Sequence, residues 1–255
     1  VMRLYRAENL KFRHTVTGKL WILMQTLTLL LAYGISRGNG ISSAYNWWYT
    51  LMLPGMVTLS ACMIGEKDRK GKNRAVLSLP SSPGKVWDAK ILVGMKTLLL
   101  ANLLGAAANL ILGLYLIPRF WIPQVLEISP AQIAASGAVM TAATLWQIPL
   151  CLWMSQKWGF LPALILNMIL NGSGPLAAVT PYWILDPWAI LPRLMTGIIG
   201  ILPNGLPAMP GSMTYTPGIT DNSVIIPGVM VTIAWLAVLW GLSRFWYERK
   251  GAQTV

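Results

Sequence analysis

Residues 65–73 carry the residue types of a nucleotide-binding loop, with two glycines and a lysine after the second glycine. A phosphate-binding loop of this kind needs four residues between its glycines and a Ser or Thr directly after its lysine. Here five residues separate Gly65 from Gly71, and Asn73 follows Lys72. The preceding segment is a long apolar stretch rather than a sheet strand. The sequence therefore predicts that this chain does not hydrolyse ATP by itself.

The other residues that commonly perform chemistry are scarce. His14 is the only histidine, which excludes histidine-dependent triads and histidine-rich metal sites. Cys62 and Cys151 lie in apolar runs, which favours buried small side chains over a disulfide or a metal site. No carboxylate lies inside an apolar stretch, where ion-coupled transporters usually need an ionisable group. We therefore expect no enzyme and no metal, and a protein that acts passively or takes energy from a partner.

The composition is that of a multi-spanning membrane protein. Hydrophobic residues make up 55% of the 255 residues and charged residues 11%, whereas a soluble domain is about one quarter charged. A membrane helix needs roughly 20 apolar residues. The stretches that qualify are residues 20–35, 46–64, 96–117, 131–154, 159–179 and 224–242. We predict an all-α integral membrane protein with six transmembrane helices in one domain, 1–255, and no cleaved signal peptide at residues 2–14.

The distribution of Lys and Arg predicts the orientation. With the N-terminus inside, seventeen of the 20 basic residues fall on the inner side, and only Arg37, Arg119 and Arg193 fall outside. Cytoplasmic loops carry the excess of positive charge in membrane proteins. The sequence therefore predicts a multi-pass protein of the plasma membrane with both termini in the cytoplasm. The net charge of +12 then marks topology and lipid contact rather than nucleic-acid binding.

Two segments are expected at the inner surface. Residues 1–18 are basic with interspersed apolar residues, which favours an interfacial elbow helix over a loose basic tail. Residues 65–90 form the largest inner loop. Within it, Ser82 and Pro83 have the types of a helix cap and first helical position, so a helix is predicted to run from there through Lys90 into the third span.

An apolar patch interrupts the charged loop at residues 74–79, before Pro80. A solvated loop does not need Val76, Leu77 and Leu79. These side chains rest on the bilayer or neighbouring helices, or they fit a groove on a cytoplasmic partner whose register the surrounding charges set. The sequence alone leaves both interpretations open.

The outer side is dominated by residues 180–223, which contain seven prolines and cannot form one regular helix. Within this loop, residues 188–202 are apolar but too short to span, so an interfacial or re-entrant segment is expected. Inside the spans we expect the amide side chains to serve as interhelical hydrogen-bonding groups rather than substrate contacts. They are Asn102, Asn109, Gln147, Asn167 and Asn171.

Several short motifs resemble the permease subunits of ABC-2-type transporters. Glu8-Asn9-Leu10-Lys11 precedes the first span, and the inner loop carries Glu66-Lys67-Asp68, Leu77-Ser-Leu-Pro80-Ser81 and Trp87-Asp-Ala-Lys90. The outer segments Pro187-Trp188-Ala-Ile-Leu-Pro-Arg193 and Pro203-Asn204-Gly205 are similar to those of lantibiotic-immunity permeases, the E and G subunits, and favour the E type. Leu202 stands where that pattern has a histidine. The resemblance covers nearly the whole chain.

The resemblance implies a permease of an ATP-driven exporter that expels lantibiotic peptides from the membrane of a Gram-positive cell and so gives immunity. The implied partners are two copies of a soluble ABC ATPase, which bind ATP and Mg²⁺, a second related permease, membrane lipid and the peptide. The chain itself would hold no cofactor. The alternatives are a non-transporting scaffold or sensor that sequesters the peptide, and an ABC-2 exporter of another amphipathic substrate.

On this reading two groups of residues form the functional sites. The coupling loop would contact the ATPase through Glu66, Lys67, Asp68, Arg69, Arg74, Leu77, Leu79, Pro80 and Ser81. The outer side would face the peptide through Glu127, Trp183, Asp186, Trp188, Arg193, Asn204 and Asp221. The three carboxylates of the second group would attract a cationic peptide, or they are ordinary solvated loop residues.

Overall fold

The structure, a computed structural model, describes residues 2–120 and 126–251, and their regular structure is helical. The α-helices are α1 (Met2–Leu10), α2 (Val16–Ser36), α3 (Gly40–Trp47), α4 (Leu53–Arg69), α5 (Arg74–Leu77), α6 (Pro83–Ala108), α7 (Ile117–Phe120), α8 (Pro130–Thr144), α9 (Gln147–Trp158), α10 (Phe160–Ala177), α11 (Pro187–Ile199) and α12 (Ile225–Trp246). Wider π-helical turns connect α3 to α4 (Trp48–Met52) and α6 to α7 (Asn109–Leu116), and another follows α12 (Tyr247–Gly251).

Six of the resulting helical segments are long and apolar enough to cross a membrane, which confirms the six predicted stretches. They are Val16–Ser36, Gly40–Arg69, Pro83–Arg119, Pro130–Trp158, Phe160–Ala177 and Asn222–Arg249. The chain therefore has the helices of a multi-pass membrane protein. The second and third segments continue well beyond their apolar cores. The loop that joins them is therefore only residues 70–82.

The fourth segment differs from the single helix predicted over residues 131–154. It consists of α8 and α9, separated by a turn at Leu145 and Trp146. Pro149 explains the break, because its ring clashes with the carbonyl four residues earlier, at Leu145, and it has no N–H to donate. The turn places Gln147 at the start of a new helix in the middle of the bundle.

The second segment lies at the centre of the bundle. Of its most apolar stretch 72% is buried, compared with 11% for the sixth segment. α4 packs against α2, α6, α9 and α10, whereas α12 lies at the periphery. The exposed apolar side chains of α12 suit contact with lipid or with another membrane subunit, since water-soluble monomers rarely expose a large apolar face. They include Ile226, Met230, Val238, Leu242 and Phe245.

The apolar segment of the predicted outer loop forms α11, and eleven of its 13 residues are buried. It packs against α8, α10 and α12. The Asp186 carboxylate accepts a hydrogen bond from the Trp188 N–H (3.0 Å) and caps the start of the helix. Irregular or short segments at membrane depth are tolerated when protein encloses them. The burial of α11 therefore favours a helix enclosed by the bundle over one lying on the membrane surface.

The helices α10 and α11 lie in close contact at Gly174 of α10. A Cβ atom at this position would lie 2.4 Å from the carbonyl oxygen of Trp188, a backbone atom that cannot yield. At Gly172, two residues earlier on the same helix, a Cβ atom would meet nothing within 4 Å. The two glycines therefore form a matched pair for testing how α11 docks.

We expect Gly174→Ala to destabilise the protein by about 1–3 kcal/mol, because the added methyl group overpacks a backbone contact. Gly172→Ala should be neutral or stabilising by up to about 1 kcal/mol, because alanine favours the helix. Unfolding of the purified protein in detergent, followed by circular dichroism, measures both. Equal stability of the two variants would contradict the close docking of α11.

Candidate functional site

The bundle has two chemically different ends. One end, here called the basic end, holds α1, residues 70–82, the turn at Gly159 and residues 247–251. The opposite end, the loop end, holds residues 37–39, 126–129 and 178–221. Contacts between distant parts of the chain show which segments share an end. Lys90 pairs with Glu8 at the basic end, and Asn46 bonds with Leu202 at the loop end.

A buried ionic network ties three helices together at the basic end. The Lys90 side chain on α6 is completely buried and forms ion pairs with Glu8 on α1 (3.0 Å) and Asp68 on α4. Lys11 pairs with the same two carboxylates, at 2.6 Å from Glu8 and 3.1 Å from Asp68. Buried Lys90 and partly exposed Lys11 thus neutralise two buried carboxylates, which would be strongly unfavourable without a partner.

The motif Glu8-Asn9-Leu10-Lys11 has a structural role in this arrangement. Beside the ion pairs of Glu8 and Lys11, the Lys96 ammonium donates a hydrogen bond to the Asn9 side chain, so α1 is attached to α6 at two levels. Burial opposes the charged form of Lys11, but the hydrogen bond and charge of Glu8, with those of Asp68, outweigh it and raise the pKa of Lys11. The helix α1 is therefore fixed to α4 and α6, the two helices that flank residues 70–82.

The start of α6 also contacts the C-terminal end of α12 and the residues that follow it. Trp87 stacks on Tyr247 with ring centroids 4.4 Å apart, and its indole N–H donates to the Ser243 hydroxyl (3.0 Å). Asp88 accepts a hydrogen bond from the Trp240 indole (2.8 Å) and pairs with Arg244 (3.4 Å). The first two turns of α6 are thus clamped between α1 and α4 on one side and α12 on the other.

Residues 70–82, here called the tip, connect the end of α4 to the start of α6. These two helix ends, residues 66–69 and 83–90, are here called the base. Lys72 and Asn73 adopt left-handed backbone conformations (φ 52° and 51°), which reverse the chain after α4. The short helix α5 follows, and α6 begins at Pro83, as predicted. The preceding Ser82 is extended, but its side chain does not form the expected capping hydrogen bond. The tip is therefore a compact reversal with one helical turn rather than an unstructured loop.

The three apolar side chains of the tip separate into two groups. Val76 is 1% exposed and packs into the core, whereas Leu77 and Leu79 are 48% and 40% exposed. The exposed residues around them include Lys70, Lys72 and Arg74. Two exposed apolar side chains with a basic rim suit contact with a protein partner or with the bilayer surface.

The predicted ATPase-contact residues fall into those that bond to other parts of the chain and those that do not. Asp68 is buried in the ionic network, Glu66 pairs with Arg69 (3.3 Å), and Lys67 donates to the Lys11 carbonyl and lies 5.0 Å from the Phe12 ring. These four residues are engaged within the chain. Of these four, Lys67 is nevertheless exposed. The other exposed members of the predicted set are Arg74, Leu77, Leu79 and Pro80, and Ser81 is partly buried.

At the loop end, the predicted carboxylates do not gather into one site. Asp186 caps α11, and Asp221 accepts hydrogen bonds from the backbone N–H (2.8 Å) and hydroxyl (2.7 Å) of Ser223. These bonds, with the charge of Arg193, lower the pKa of Asp221. Glu127 lies apart, beside a cavity between Ile41 and Pro118. Two of the three carboxylates therefore organise local backbone.

The predicted aromatic and basic residues of the loop end are also engaged within the chain. Arg193 donates to the Gly218 carbonyl (2.8 Å) and lies 5.7 Å from the ring of buried Trp183. The Trp188 indole donates to Asn167 (3.2 Å) and meets Trp146 edge to face. Arg193, Trp183 and Trp188 thus hold the loop and α11 on the bundle.

Asn204 borders a cavity of about 550 Å³ that the sequence did not predict. Its side chain donates to Met213 and Thr214 and accepts from the Leu206 N–H, which shapes the cavity rim. The remaining polar lining residues come from the end of the first segment and the start of the second. They are Ser36, Asn39, Ser42, Ser43 and Asn46. Isolated Ser and Asn residues at span ends carry no signal of a site in the sequence.

The intramembrane amides form hydrogen bonds between helices, as expected. Gln147 bonds with Asn171 (3.0 Å) and Asn167 (3.2 Å), and Asn167 donates to Thr58 on α4 (2.6 Å). In the other half of the bundle, Asn102 joins Trp48 (2.8 Å) to Thr141 (2.9 Å), and Asn109 accepts from Tyr33 (2.8 Å). All five amide residues are buried, and such bonds serve helix packing. The two cysteines are free and buried, as predicted.

No family model, curated protein or solved structure matches this chain.

Proposed function

We propose that this chain is the membrane permease of an ATP-driven exporter that removes lantibiotic peptides from the cell membrane. The proposal rests on the motif resemblance and on one structural observation. The observation is that the tip exposes Leu77 and Leu79 within a basic rim. The base below it is held by ion pairs to α1 and by the Trp87–Tyr247 stack at the end of α12. A surface of this kind suits a partner that pushes on the bundle.

The proposed mechanism depends on the contacts that join the base to α1 and α12. In the proposed orientation the basic end faces the cytoplasm, where the ATPase subunits bind the tip. A force on the tip passes into α6 at Pro83 and into α4 at Arg69, because the tip joins these two helices directly. The ion pairs of Lys90 and the Trp87–Tyr247 stack make α1 and α12 move with them. ATP and Mg²⁺ would be bound by the partner, which supplies the energy.

The division of the coupling loop refines the predicted contact surface. We assign the ATPase contact to Arg74, Leu77, Leu79 and Pro80, with electrostatic support from exposed Lys70 and Lys72. Glu66, Lys67, Asp68 and Arg69 are assigned to the base, where they hold the tip in position. The partner surface should therefore be apolar at its centre and acidic at its edge.

Peptide resistance in living cells tests whether the chain pumps or only binds. Cells that express the chain with its partner permease and an ATPase whose hydrolysis is abolished should be as sensitive to the peptide as cells without the chain. The control is the same assembly with the active ATPase, which should restore resistance. Full resistance with the inactive ATPase would overturn pumping and support the alternative, a scaffold or sensor that sequesters the peptide.

A further inference from the structure

The cavity at the loop end has the chemistry of a site for neutral hydrogen-bonding groups. One wall consists of the hydroxyl and amide side chains of Ser36, Asn39, Ser42, Ser43, Asn46 and Asn204. The other is apolar, with Trp47, Leu126, Ile201 and Met209. No lining residue within the described part of the chain carries a charge. Its volume of about 550 Å³ lies in the range of pockets that bind small molecules or short segments.

Asn46 is the polar group whose geometry points to a ligand. Its side chain is only 8% exposed, and its amide nitrogen donates to the carbonyl oxygens of Leu202 (3.2 Å) and Pro203 (3.3 Å) and to the Tyr49 hydroxyl (3.1 Å). These acceptors fix the orientation of the amide. Its oxygen is left beside Gly205, where a Cβ atom would lie 3.7 Å away, and Gly205 also lines the cavity.

The Asn46 Oδ1 atom accepts no hydrogen bond from residues 2–120 or 126–251, and it belongs to a residue that lines the cavity. It is therefore free to accept a hydrogen bond from a ligand. Asn39 and Ser43 contribute further side-chain groups without hydrogen-bond partners among the same residues. The Asn46 amide oxygen can accept a hydrogen bond from a ligand, and the apolar wall favours aliphatic or aromatic groups. Backbone N–H groups next to apolar side chains combine both features. An anionic lipid headgroup would lack a cation among the described lining residues.

We propose that this cavity binds a segment of the exported peptide through its backbone, with a peptide N–H donating to Asn46 Oδ1. Recognition is then by hydrogen bonds and apolar contact rather than by the charge of the peptide. This inference rests on the proposed function, because it takes the substrate to be a peptide that reaches the loop end. It replaces the dispersed carboxylates Glu127, Asp186 and Asp221 as the predicted binding groups.

Cysteine labelling tests the location of the site. Cys62 and Cys151 are buried, so a cysteine introduced by Ser43→Cys on the half-buried cavity wall would be the reactive thiol. In intact cells a membrane-impermeant maleimide should label this variant. Purified cationic lantibiotics, each in native form and with acetylated lysines, serve as probes. At least one should slow labelling about fivefold or more, and its acetylated form should do the same.

The outcomes separate this inference from the proposed function. Absence of labelling in intact cells, with labelling in opened cells, would overturn the orientation on which the proposed function depends. Labelling that no probe slows would overturn the cavity site alone. Protection by a native peptide but not by its acetylated form would show recognition by charge and would overturn the hydrogen-bonding proposal.

A cavity-filling variant provides an independent measurement. Ser43→Leu, studied in the full chain with its partners in lipid nanodiscs, should raise the Kd of the protecting peptide at least tenfold. Ser173→Leu is the matched control, because Ser173 lies on an exposed face of α10 away from the cavity and should leave the Kd unchanged. Co-purification of the ATPase should be unaffected in both variants. An unchanged Kd in Ser43→Leu would overturn the site.

Discussion

Replacement of Lys90 by methionine should destabilise the protein by about 3–5 kcal/mol, the effect of removing one partner from a buried ion pair. The Lys90 side chain is fully buried, and the Glu8 and Asp68 side chains are only 4% and 7% exposed, so both carboxylates lose a partner in a poorly solvated place. Lys11 alone would then face two carboxylates. Equilibrium unfolding of the purified protein in mixed micelles, with increasing dodecyl sulfate, measures the loss.

Lys85→Met is the matched control for this prediction. Lys85 lies on the same helix five residues earlier, is exposed, and has no ion pair in the described residues. Its replacement should change the free energy of unfolding by no more than about 0.5 kcal/mol. In the Lys90→Met background, Asp68→Asn should be less destabilising than in the wild type, because it removes the excess carboxylate and leaves Lys11 paired with Glu8. A loss below about 1 kcal/mol in Lys90→Met would contradict the structural importance of the network.

Substitution of Leu77 and Leu79 by aspartate should abolish binding of the proposed ATPase partner while leaving the fold intact. Apolar anchors at the centre of an interface contribute about 2 kcal/mol or more each, so the double variant should bind about a thousandfold more weakly. Both side chains are exposed, and their replacement should hardly change the free energy of unfolding. Co-purification of the ATPase and peptide resistance of cells are the two measurements.

Met213→Asp provides the control for introducing a carboxylate at an exposed apolar position. Met213 is 75% exposed and lies at the loop end, away from the tip. This variant should retain both ATPase binding and resistance. If Leu77→Asp/Leu79→Asp also retained both, the tip would not be the coupling surface, and the proposed contact with a motor protein would have to be abandoned.

The correct and incorrect parts of the sequence prediction have the same physical origin. The six spans could be predicted because each depends on the composition of one continuous stretch. The helix starting at Pro83 depends on two adjacent residues and was also predictable. The break at Leu145 was missed even though Pro149 marked it, since a proline can also be accommodated within a long membrane helix.

The functional residues required more than local information. In the sequence, Asp68 and Leu77 belong to one charged loop and look equally suited to a partner contact. The structure buries Asp68 against Lys90, which is 22 positions away, and exposes Leu77 at the tip. The cavity at the loop end joins Asn46 to Leu202 and Pro203, more than 150 positions later. No local pattern marks either pairing.

The sequence by itself determined that this chain is helical, that six of its segments suit a membrane, and that its basic residues concentrate at one end of the bundle. These properties follow from the transfer of side chains between water and lipid, which each residue contributes independently of its neighbours in space. Only the tertiary structure decided which charges are neutralised inside the protein, which apolar residues of the tip remain free, and where an unpaired amide oxygen borders a cavity. Those outcomes depend on the rotation and depth at which one helix meets another, and they are set by packing among residues far apart in the chain.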